Sequence, residues 1–377
     1  MLYSLRTKKR MSASILDQVL SSQKQSAISE FDPDTIASKL FGSLSERERD
    51  ILTKRYGLQG KKKVTLEEIG KEYTVTRERI RQIENASLNR IREQFNTSAL
   101  KDLEYLIRNI LEDHGDLMSE QRLVQQLLAE NGSSETSSSL VRFLLNQLLS
   151  DRLVSVKEST DLYKAWATPG LVWNNYHGII EKLVDIIKSH NEPIRLELLM
   201  DKARQRIQDE IDEERYDIIL INYLEVTKKI EENKFNEWGL SHWNSIRPRR
   251  MNDKIYLVMK KEGKPLHFVE IAKKINEAQF DSRTAYPATI HNELILDPKY
   301  VLVGRGMYAL TEWGFKPGIV LDVIKDVLKE AGKPMTREEI ITEVLKHRMV
   351  KRSTIVLALM NKKHFSKDER GLYRLAA

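Results

Sequence analysis

The sequence contains no cysteine, and this absence removes several classes of chemistry. Disulfide frameworks, cysteine-ligated zinc fingers and thiol catalysis are all excluded. No apolar run approaches the ~20 residues that a membrane-spanning helix needs. The first residues, MLYSLRTKKRM, lack the apolar stretch and the small-residue cleavage site of a secretory signal. We therefore expect a soluble cytoplasmic protein that does not bind membranes.

The usual signatures of catalysis are missing as well. The 8 histidines are scattered, and no pair of them has metal-ligand spacing with a carboxylate. There is no glycine-rich phosphate loop, since Gly304-Arg305-Gly306 lies in a predicted wing, and no serine occupies a nucleophile elbow. His267 is better explained as a packed residue at a helix start than as a catalytic base. We therefore predict a protein that is not an enzyme and that needs no cofactor or metal.

The size and charge of the chain indicate several domains and a nucleic-acid partner. The 377 residues are too many for one compact core. Lys and Arg number 62 against 55 Asp and Glu, a net charge of +7, and this basic balance favours nucleic acid. Residues 1–43 are predicted to be a partly helical leader, with short helices from Ile15 to Leu20 and from Asp34 to Phe41.

The most informative stretch, residues 44–92, reads as two helix pairs. The spacings Ser45–Glu48 and Thr65–Glu68 each match a capping box. Gly70 lies on the first helix of the second pair, where the missing side chain lets another helix approach closely. The tripeptide Thr74-Val75-Thr76 is β-branched and should end that helix, with Thr76 as the N-cap of the next one. The second pair is therefore predicted to be a helix-turn-helix.

The two sides of its last helix have different characters. Four residues repeat at helical spacing and should face inward: Ile80, Ile83, Ser87 and Ile91. The opposite side carries two rows of polar side chains: Arg77, Arg81 and Asn85, with Glu78 and Gln82 beside them. Arg can bond guanine bidentately, Gln or Asn can bond adenine, and Glu can accept from cytosine. Such a helix usually enters the major groove by its N-terminal residues. An exposed, salt-bridged helix with solvated side chains is the alternative.

The residues LSERERDILTKRYGL (44–58) and VTLEEIGKEYTVTRERIRQIENASLNRIR (64–92) closely resemble region four of the sigma-70 family, the promoter-specificity factors of bacterial RNA polymerase. The resemblance implies a domain at residues 44–97 that reads the −35 promoter element and contacts the flap of the polymerase β subunit. It implies base contacts from Arg77, Glu78, Arg81 and Gln82, and positions near phosphates for Thr76 and Arg79. Thr65 and Asn85 complete the candidate DNA-binding residues of these helices.

Two departures from the family pattern qualify the resemblance. Lys61-Lys62-Lys63 lengthens the loop before the helix-turn-helix, either as a phosphate contact or as a solvated loop. Only 43 residues precede Leu44, and their only aromatics are Tyr3, Phe31 and Phe41. The aromatic region that melts the −10 element in sigma factors is therefore expected to be absent, and the chain should not initiate transcription as a sigma factor does.

The rest of the chain contains an internal repeat of roughly 65–75 residues. Each repeat has an amphipathic helix, a turn, two further helical stretches and a two-stranded hairpin closed by aromatics, which is the winged-helix plan. The predicted modules are module 1 (100–170), module 2 (174–246), module 3 (251–316) and module 4 (317–377). The five tryptophans cluster at module ends and are read as packing residues rather than base-stacking platforms.

Module 3 resembles a named family, because GKPLHFVEIAKKIN and GRGMYALTEWG look like the HARE-HTH winged helix found in the delta subunit of bacterial RNA polymerase.

The charges of the modules indicate different uses for them. Module 4 begins its third helix with Lys351 and Arg352, preceded by His347 and Arg348, a basic end suited to phosphates. Module 2 has an acidic run before its third helix, which favours a protein partner. The basic linker 247–250 is either a grip on a DNA backbone or a solvated hinge.

Together these observations predict a mainly α, multi-domain array: a sigma region 4-like helix-turn-helix followed by about four winged-helix modules with small β-hairpin wings. The predicted function is non-enzymatic DNA binding associated with transcription, with double-stranded DNA and the RNA polymerase core as partners. The alternatives are a polymerase accessory factor that binds the flap without reading DNA, and an adaptor of a mobile element or defence system.

Overall fold

The computed structural model describes residues 31–94, 99–129 and 134–376. The described chain is mainly helical with small antiparallel sheets, so the predicted fold class is confirmed. No helix within these ranges is long and apolar enough to cross a membrane. The predicted helix from Ile15 to Leu20 lies outside the described residues.

The chain divides into two units. The first unit contains Met1–Ser189 and Glu197–Glu231, and the second contains His190–Leu196 and Glu232–Ala377. The division passes through module 2, so most of its helical residues belong to the first unit and its last strand to the second. Each unit is therefore larger than any one predicted module.

The helix-turn-helix domain opens the described part of the first unit. Its helices are α1 (Pro33–Phe41), α2 (Glu46–Tyr56), α3 (Leu66–Glu72) and α4 (Arg77–Gln94). Helix α1 confirms the predicted short helix, and Asp32 caps it by accepting from the amides of Asp34 and Thr35. Ser45 and Glu48 form the predicted capping box at the start of α2. That helix ends at Gly57, whose φ of 67° is a left-handed conformation that glycine adopts without strain.

Module 1 has the element order of a winged helix. Its elements are α5 (Ala99–Asp113), β1 (Leu117–Ser119), α6 (Glu120–Leu127), α7 (Glu135–Phe143), β2 (Val154–Val156) and β3 (Ala165–Ala167), with a π-helical turn at Leu144–Leu148. The strands form an antiparallel sheet in the order β1-β3-β2. Module 2 contributes α8 (Trp173–His190), β4 (Ile194–Arg195), α9 (Leu196–Ile207), α10 (Tyr216–Val226), β5 (Ile230–Glu232) and β6 (Glu237–Leu240).

The second unit contains modules 3 and 4. Module 3 has α11 (Met251–Glu262), β7 (Leu266–His267), α12 (Phe268–Ala278), α13 (Pro287–Leu296), β8 (Tyr300–Leu302) and β9 (Met307–Leu310). Its antiparallel sheet has the order β7-β9-β8. Module 4 has α14 (Val320–Ala331), α15 (Arg337–His347), α16 (Arg352–Leu359), β10 (Phe365–Lys367) and β11 (Tyr373–Leu375). Strands β10 and β11 pair in antiparallel register.

The sequence did not reveal the first strand in each of modules 1 to 3. It predicted a turn followed by the second helix, but the residues just before that helix pair with the last strand: β1 with β3, β4 with β6, and β7 with β9. In module 4 the same position is reduced to one bridge, from Met335 to Tyr373. Strands of two or three residues are too short to show an alternating pattern, and in module 1 Ser119 both ends the strand and caps the next helix.

A single hydrophobic core joins the helix-turn-helix domain to module 1. Its centre is Phe143 at the end of α7, whose ring lies 4.9 Å from that of Tyr56 and 6.0 Å from that of Phe41. Leu140 and Leu144 bury beside it. The third helix of module 1 is therefore largely covered by the domain that precedes it.

The third helix of module 2 is covered in a similar way by module 1. The side chain of Ile219 packs against Gly115. A Cβ atom at residue 115 would lie 2.8 Å from that side chain, so only glycine fits at this position. Tyr223 donates from its hydroxyl to the Gly115 carbonyl at 3.1 Å, and Arg215 donates from Nη1 to the Glu112 carbonyl at 2.8 Å. Leu162 and Thr227 form an antiparallel bridge nearby. Because most of α10 is buried, it is not free to enter a DNA groove.

The third helices of modules 3 and 4 are much more open. The buried residues of α13 are Ile290 and Leu294, and those of α16 are Ile355 and Leu359. In α10, by contrast, seven residues are buried: Tyr216, Ile219, Leu220, Asn222, Tyr223, Leu224 and Val226. The modules therefore share one plan but differ in whether their third helix is available to a partner.

Candidate nucleic-acid interface

The helix-turn-helix is built on a small core of isoleucines. Ile51, Ile69 and Ile80 are fully buried, one from each of α2, α3 and α4. Thr65 and Glu68 form the predicted capping box at the start of α3: the Glu68 amide donates to the Thr65 hydroxyl at 3.2 Å, and the Thr65 amide donates to the Glu68 carboxylate at 2.9 Å. The hydroxyl of Thr65 thus already has a structural role, although the residue is exposed.

The turn between α3 and α4 follows the prediction. Helix α3 ends at Glu72, and Thr76 caps α4 by accepting from the Arg79 amide at 3.2 Å. A Cβ on Gly70 would lie 2.8 Å from the Val75 carbonyl oxygen and 3.4 Å from the Arg77 amide nitrogen. The missing side chain therefore lets the start of α4 approach α3, as the sequence predicts.

Thr74 supplies a testable feature of this turn, because its φ is 53°. A β-branched residue is strained in that left-handed region, whereas glycine is not. We expect Thr74→Gly to stabilise the helix-turn-helix by about 0.5–1 kcal/mol. The relief of strain in the folded state should exceed the cost of the backbone entropy that glycine adds to the unfolded chain. Amide hydrogen exchange of the full chain would show slower exchange at residues 66–91. Thr284→Gly is the control, since Thr284 is an exposed loop residue without a positive φ; it should bring no gain. Faster exchange in Thr74→Gly would contradict the strain argument.

The inward and outward faces of α4 are those predicted from the sequence. Ile80, Ser87 and Ile91 are buried and Ile83 is half-buried. The outward face consists of exposed residues: Arg77, Glu78, Arg79, Arg81, Gln82 and Asn85. No described neighbouring module covers this face, so its side chains remain accessible to a partner.

Arg81 and Glu78 form a two-point ion pair on this face. The Arg81 Nε and Nη2 atoms donate to the two Glu78 carboxylate oxygens at 2.8 and 2.7 Å. The hydrogen bond from Arg81 lowers the pKa of Glu78, so the carboxylate stays charged. Both side chains are more than half exposed, so the pair adds little stability. The ion pair uses the Nε and Nη2 atoms of the guanidinium, however, and leaves Nη1 free to donate to a base.

Gln82 is oriented in a comparable way. Arg79 donates from Nη1 to the Gln82 side-chain oxygen at 3.2 Å. The Gln82 side chain also donates to Glu78, which helps to lower the pKa of that carboxyl, while the Gln82 oxygen can accept a second bond. Arg81 and Gln82 are the two residues of the second turn of α4 that the sequence assigns to bases. Each is therefore held by a neighbour three residues earlier in the helix.

Glu84 is a structural residue that the sequence analysis did not single out. It is 8% exposed, accepts from the Tyr56 hydroxyl at 2.7 Å, and lies 3.4 Å from the Arg55 Nε. Burial, together with the bond to Glu84, raises the pKa of Tyr56. The position of Glu84 between Ile80 and Ser87 on the inward face of α4 was the signal in the sequence that could have identified it. Glu84 therefore ties α4 to α2.

The lysine loop before α3 is partly anchored. Lys61 donates to Asp50 at 3.2 Å, and Asp50 also accepts from the Tyr73 hydroxyl at 2.6 Å. Burial alone would raise the pKa of Asp50, but hydrogen bonds from Lys54, Tyr73 and Lys61 lower it to about 2. Lys62 and Lys63 are exposed and form no ion pair with the described residues. They are therefore the two loop lysines most available to phosphate.

The basic end of module 4 is smaller than its sequence indicates. Lys351 and Arg352 are exposed, and Arg352 forms an ion pair with Glu338. Arg348 is only 6% exposed and donates to the carbonyl of Leu302 in module 3. Its inclusion in a phosphate-binding surface was wrong, because burial between two modules cannot be read from local charge.

Trp166 and Trp238 are buried, which agrees with the predicted packing role. Within residues 31–94, 99–129 and 134–376, no group of three or more His, Asp or Glu side chains could hold a metal ion.

Residues 40–93 match the family model described as "Sigma-70, region 4". The segment is 53% identical over 64 residues to the RNA polymerase sigma factor SigA of Nostoc sp., a match covering 17% of this chain and 16% of that protein. It is 47% identical over 64 residues to the SigA of Clostridium acetobutylicum, covering 17% of each chain. The SigA of Synechocystis sp. is 53% identical over 60 residues, covering 16% of this chain and 14% of that protein. This chain thus matches about one sixth of the length of these relatives, and the match coincides with the helix-turn-helix.

Proposed function

We propose that the protein binds double-stranded DNA through α4 and acts in transcription by binding, not by catalysis. The observation that carries the proposal is the exposed polar face at the start of α4, within the segment that matches the sigma-70 region 4 model. Arg77, Glu78, Arg81 and Gln82 read base edges in the major groove of a −35-like sequence. Thr76 and Arg79 lie beside the phosphates that flank them.

The arrangement of Arg81 and Glu78 supports a specific form of readout. Arg81 donates from its free Nη1 edge to guanine, while Glu78 holds the guanidinium in place. Glu78 is a positioning residue in this step, and its outer carboxylate lone pairs also accept from a cytosine amino group. Gln82 presents donor and acceptor together, which suits adenine. Asn85, one turn further along, extends the same face.

The winged-helix modules have different parts in this proposal. Modules 1 and 2 support the helix-turn-helix, since their third helices are covered within the first unit. Module 4 adds phosphate contacts from Lys351 and Arg352 at the open start of α16. The exposed acidic segment before α10 in module 2 remains available to a basic protein partner. The resemblance of module 3 to the HARE-HTH family stays a prediction.

The test is selection of bound duplexes from a random pool by the full-length protein, with and without core RNA polymerase. A preferred sequence enriched by the protein alone supports direct reading by α4. Enrichment only with polymerase would instead assign the protein to an accessory role on the polymerase, in which α4 reads DNA only when held there. Retention of polymerase without any enriched sequence would overturn base reading.

The lysine loop gives a separate prediction about salt dependence. Replacing Lys62 and Lys63 with glutamine should weaken binding to all duplexes alike and reduce the slope of log affinity against log salt by about two, since each phosphate contact releases roughly one counterion. Fluorescence anisotropy over a salt series measures this slope. The matched control replaces Lys273 and Lys329, two exposed lysines of the second unit, and should leave it unchanged. Equal slopes in both variants would show that the loop does not touch phosphate.

A further inference from the structure

The basic linker between modules 2 and 3 is a fixed part of the fold. The Arg247 amide donates to the Trp243 carbonyl at 2.9 Å. The Arg249 and Arg250 amides both donate to the Asp253 carboxylate, at 3.2 and 3.0 Å, where Asp253 caps α11. Of the two alternatives left by the sequence, a solvated hinge is therefore disfavoured, because the backbone of residues 247–250 is held at both ends.

Asn233 attaches the neighbouring hairpin turn to the same linker. Its side chain is buried, donates to the Ser245 carbonyl at 3.1 Å, and accepts from the amides of Phe235 and Glu237 at 2.8 and 3.1 Å. Asn236 completes the turn with a φ of 60°, a conformation that asparagine tolerates. The hairpin turn and the linker are thus held at a fixed distance from each other, and they form the two walls of a cleft.

A cleft of about 600 Å³ lies between these walls. Its cations are Lys234, Arg247 and Arg249, and Glu232 is the carboxylate that lines it. Asn236 contributes a side-chain amide, and Ile246 and Phe280 contribute apolar surface. Among the described residues, the side chains of Lys234 and Arg249 form no ion pair, although a carboxylate lines the same cleft. The cleft is therefore electropositive and has two cations free to bind an anion.

The size and lining of the cleft decide which anion fits. Planar guanidinium groups and a lysine ammonium suit the oxygens of a phosphate. A side-chain amide and apolar surface suit a flat polar ring. A volume of this size holds a small ligand and is too confined for a duplex. A phosphate joined to a nucleoside matches all three features of the lining.

The geometry points to a second nucleic-acid site at this cleft, which binds a single nucleotide unit with its phosphate on Lys234 and Arg249 and its ring over Phe280. The unit comes either from an unpaired strand or from a free nucleotide, since the chemistry that recognises it is the same. This site is independent of duplex reading by α4, because its residues all lie in modules 2 and 3.

The test uses the full-length protein and a fluorescein-labelled single-stranded oligothymidylate, with binding followed by anisotropy. Charge-assisted hydrogen bonds to phosphate are strong enough that the double variant Lys234→Gln, Arg249→Gln should bind the strand about tenfold more weakly or worse. Arg250→Gln is the control: it removes one positive charge from the same linker as Arg249, but Arg250 does not line the cleft. Glu232→Gln should bind the strand several-fold more tightly, because it removes the opposing charge. Equal weakening by the Arg250→Gln control and the double variant would overturn the site.

Competition then separates the two sources of the nucleotide. Thymidine 5′-monophosphate displacing the labelled strand assigns the site to free nucleotides as well as strands, and displacement only by an unlabelled strand assigns it to strands. If inorganic phosphate competes with the strand as effectively as thymidine 5′-monophosphate does, the contact assigned to the nucleotide ring is overturned. Binding to the preferred duplex should be unchanged in the Lys234→Gln, Arg249→Gln variant and weakened in Arg81→Ala, so failure of this inference and failure of the proposed function give different results.

Discussion

Arg81→Ala should weaken binding to the preferred duplex by roughly 1–3 kcal/mol, which is the usual contribution of one bidentate base contact. The loss should be concentrated at one position of the sequence, because that position no longer discriminates guanine from the other bases. Its physical basis is the free Nη1 edge of a guanidinium whose other edge is held by Glu78. Competition binding against duplexes substituted at each position measures both the loss and its location.

Arg90→Ala is the matched control for this experiment. Arg90 is exposed on the same helix, but it lies nine positions along and donates to Glu48 at 3.0 Å. Its replacement should change binding much less, and should not relax any single base position. The decisive result is the selected sequence itself: if Arg81→Ala and the unaltered protein enrich the same duplexes equally well, α4 does not read bases through this residue.

Local patterns predicted the candidate interface well. Both capping boxes, the turn after Glu72 and the N-cap at Thr76 depend on interactions within about four residues, and all are present. The outward face of α4 follows from helical periodicity, which also needs no knowledge of distant residues. These features are encoded by residue spacing alone, so the sequence is sufficient to place them.

Features that depend on distant residues could not be predicted in the same way. The charge of Arg348 indicated a surface role, but its guanidinium is buried against the carbonyl of Leu302. Glu84 looked like one more polar residue on a charged helix until Tyr56, 28 positions away, proved to be its partner. The first strand in each of modules 1 to 3 was missed for a related reason, since two or three residues acquire strand geometry only from the strand they pair with.

The covering of α7 and α10 changes how the repeat is understood. Charge alone had separated the modules, with module 4 favoured for phosphate contacts and module 2 for a protein partner. In the first unit, however, the helix that would enter a groove is instead a packing surface. Helix α7 ends in Leu140, Val141 and Phe143, all buried, whereas α16 exposes Leu357 and buries only two residues. The burial of the third helix therefore distinguishes a module in which this helix is a packing surface from one in which it remains open to partners.

Phe143→Ala should destabilise the first unit by about 3–5 kcal/mol, because it removes a fully packed ring and leaves a cavity. Phe143 is 3% exposed and contacts the rings of both Phe41 and Tyr56. If the helix-turn-helix domain and module 1 share one cooperative core, amides on both sides should exchange faster, by roughly a hundredfold or more. Hydrogen exchange followed by mass spectrometry on the full chain would measure residues 33–58 and 103–128 separately.

Phe365→Ala provides the comparison, because Phe365 is equally buried at 3% exposed but lies in the core of module 4. Its replacement should accelerate exchange in module 4 and leave residues 33–58 unchanged. Faster exchange confined to module 1 in Phe143→Ala would mean that the two domains fold independently and merely touch. A shared response would instead mean that the position of α4 depends on module 1, since Arg92 at the end of that helix also donates to the Gln147 carbonyl at 2.7 Å. In that case the Phe143→Ala variant should lose sequence-specific DNA binding together with stability, although residue 143 is not on the outward face of α4.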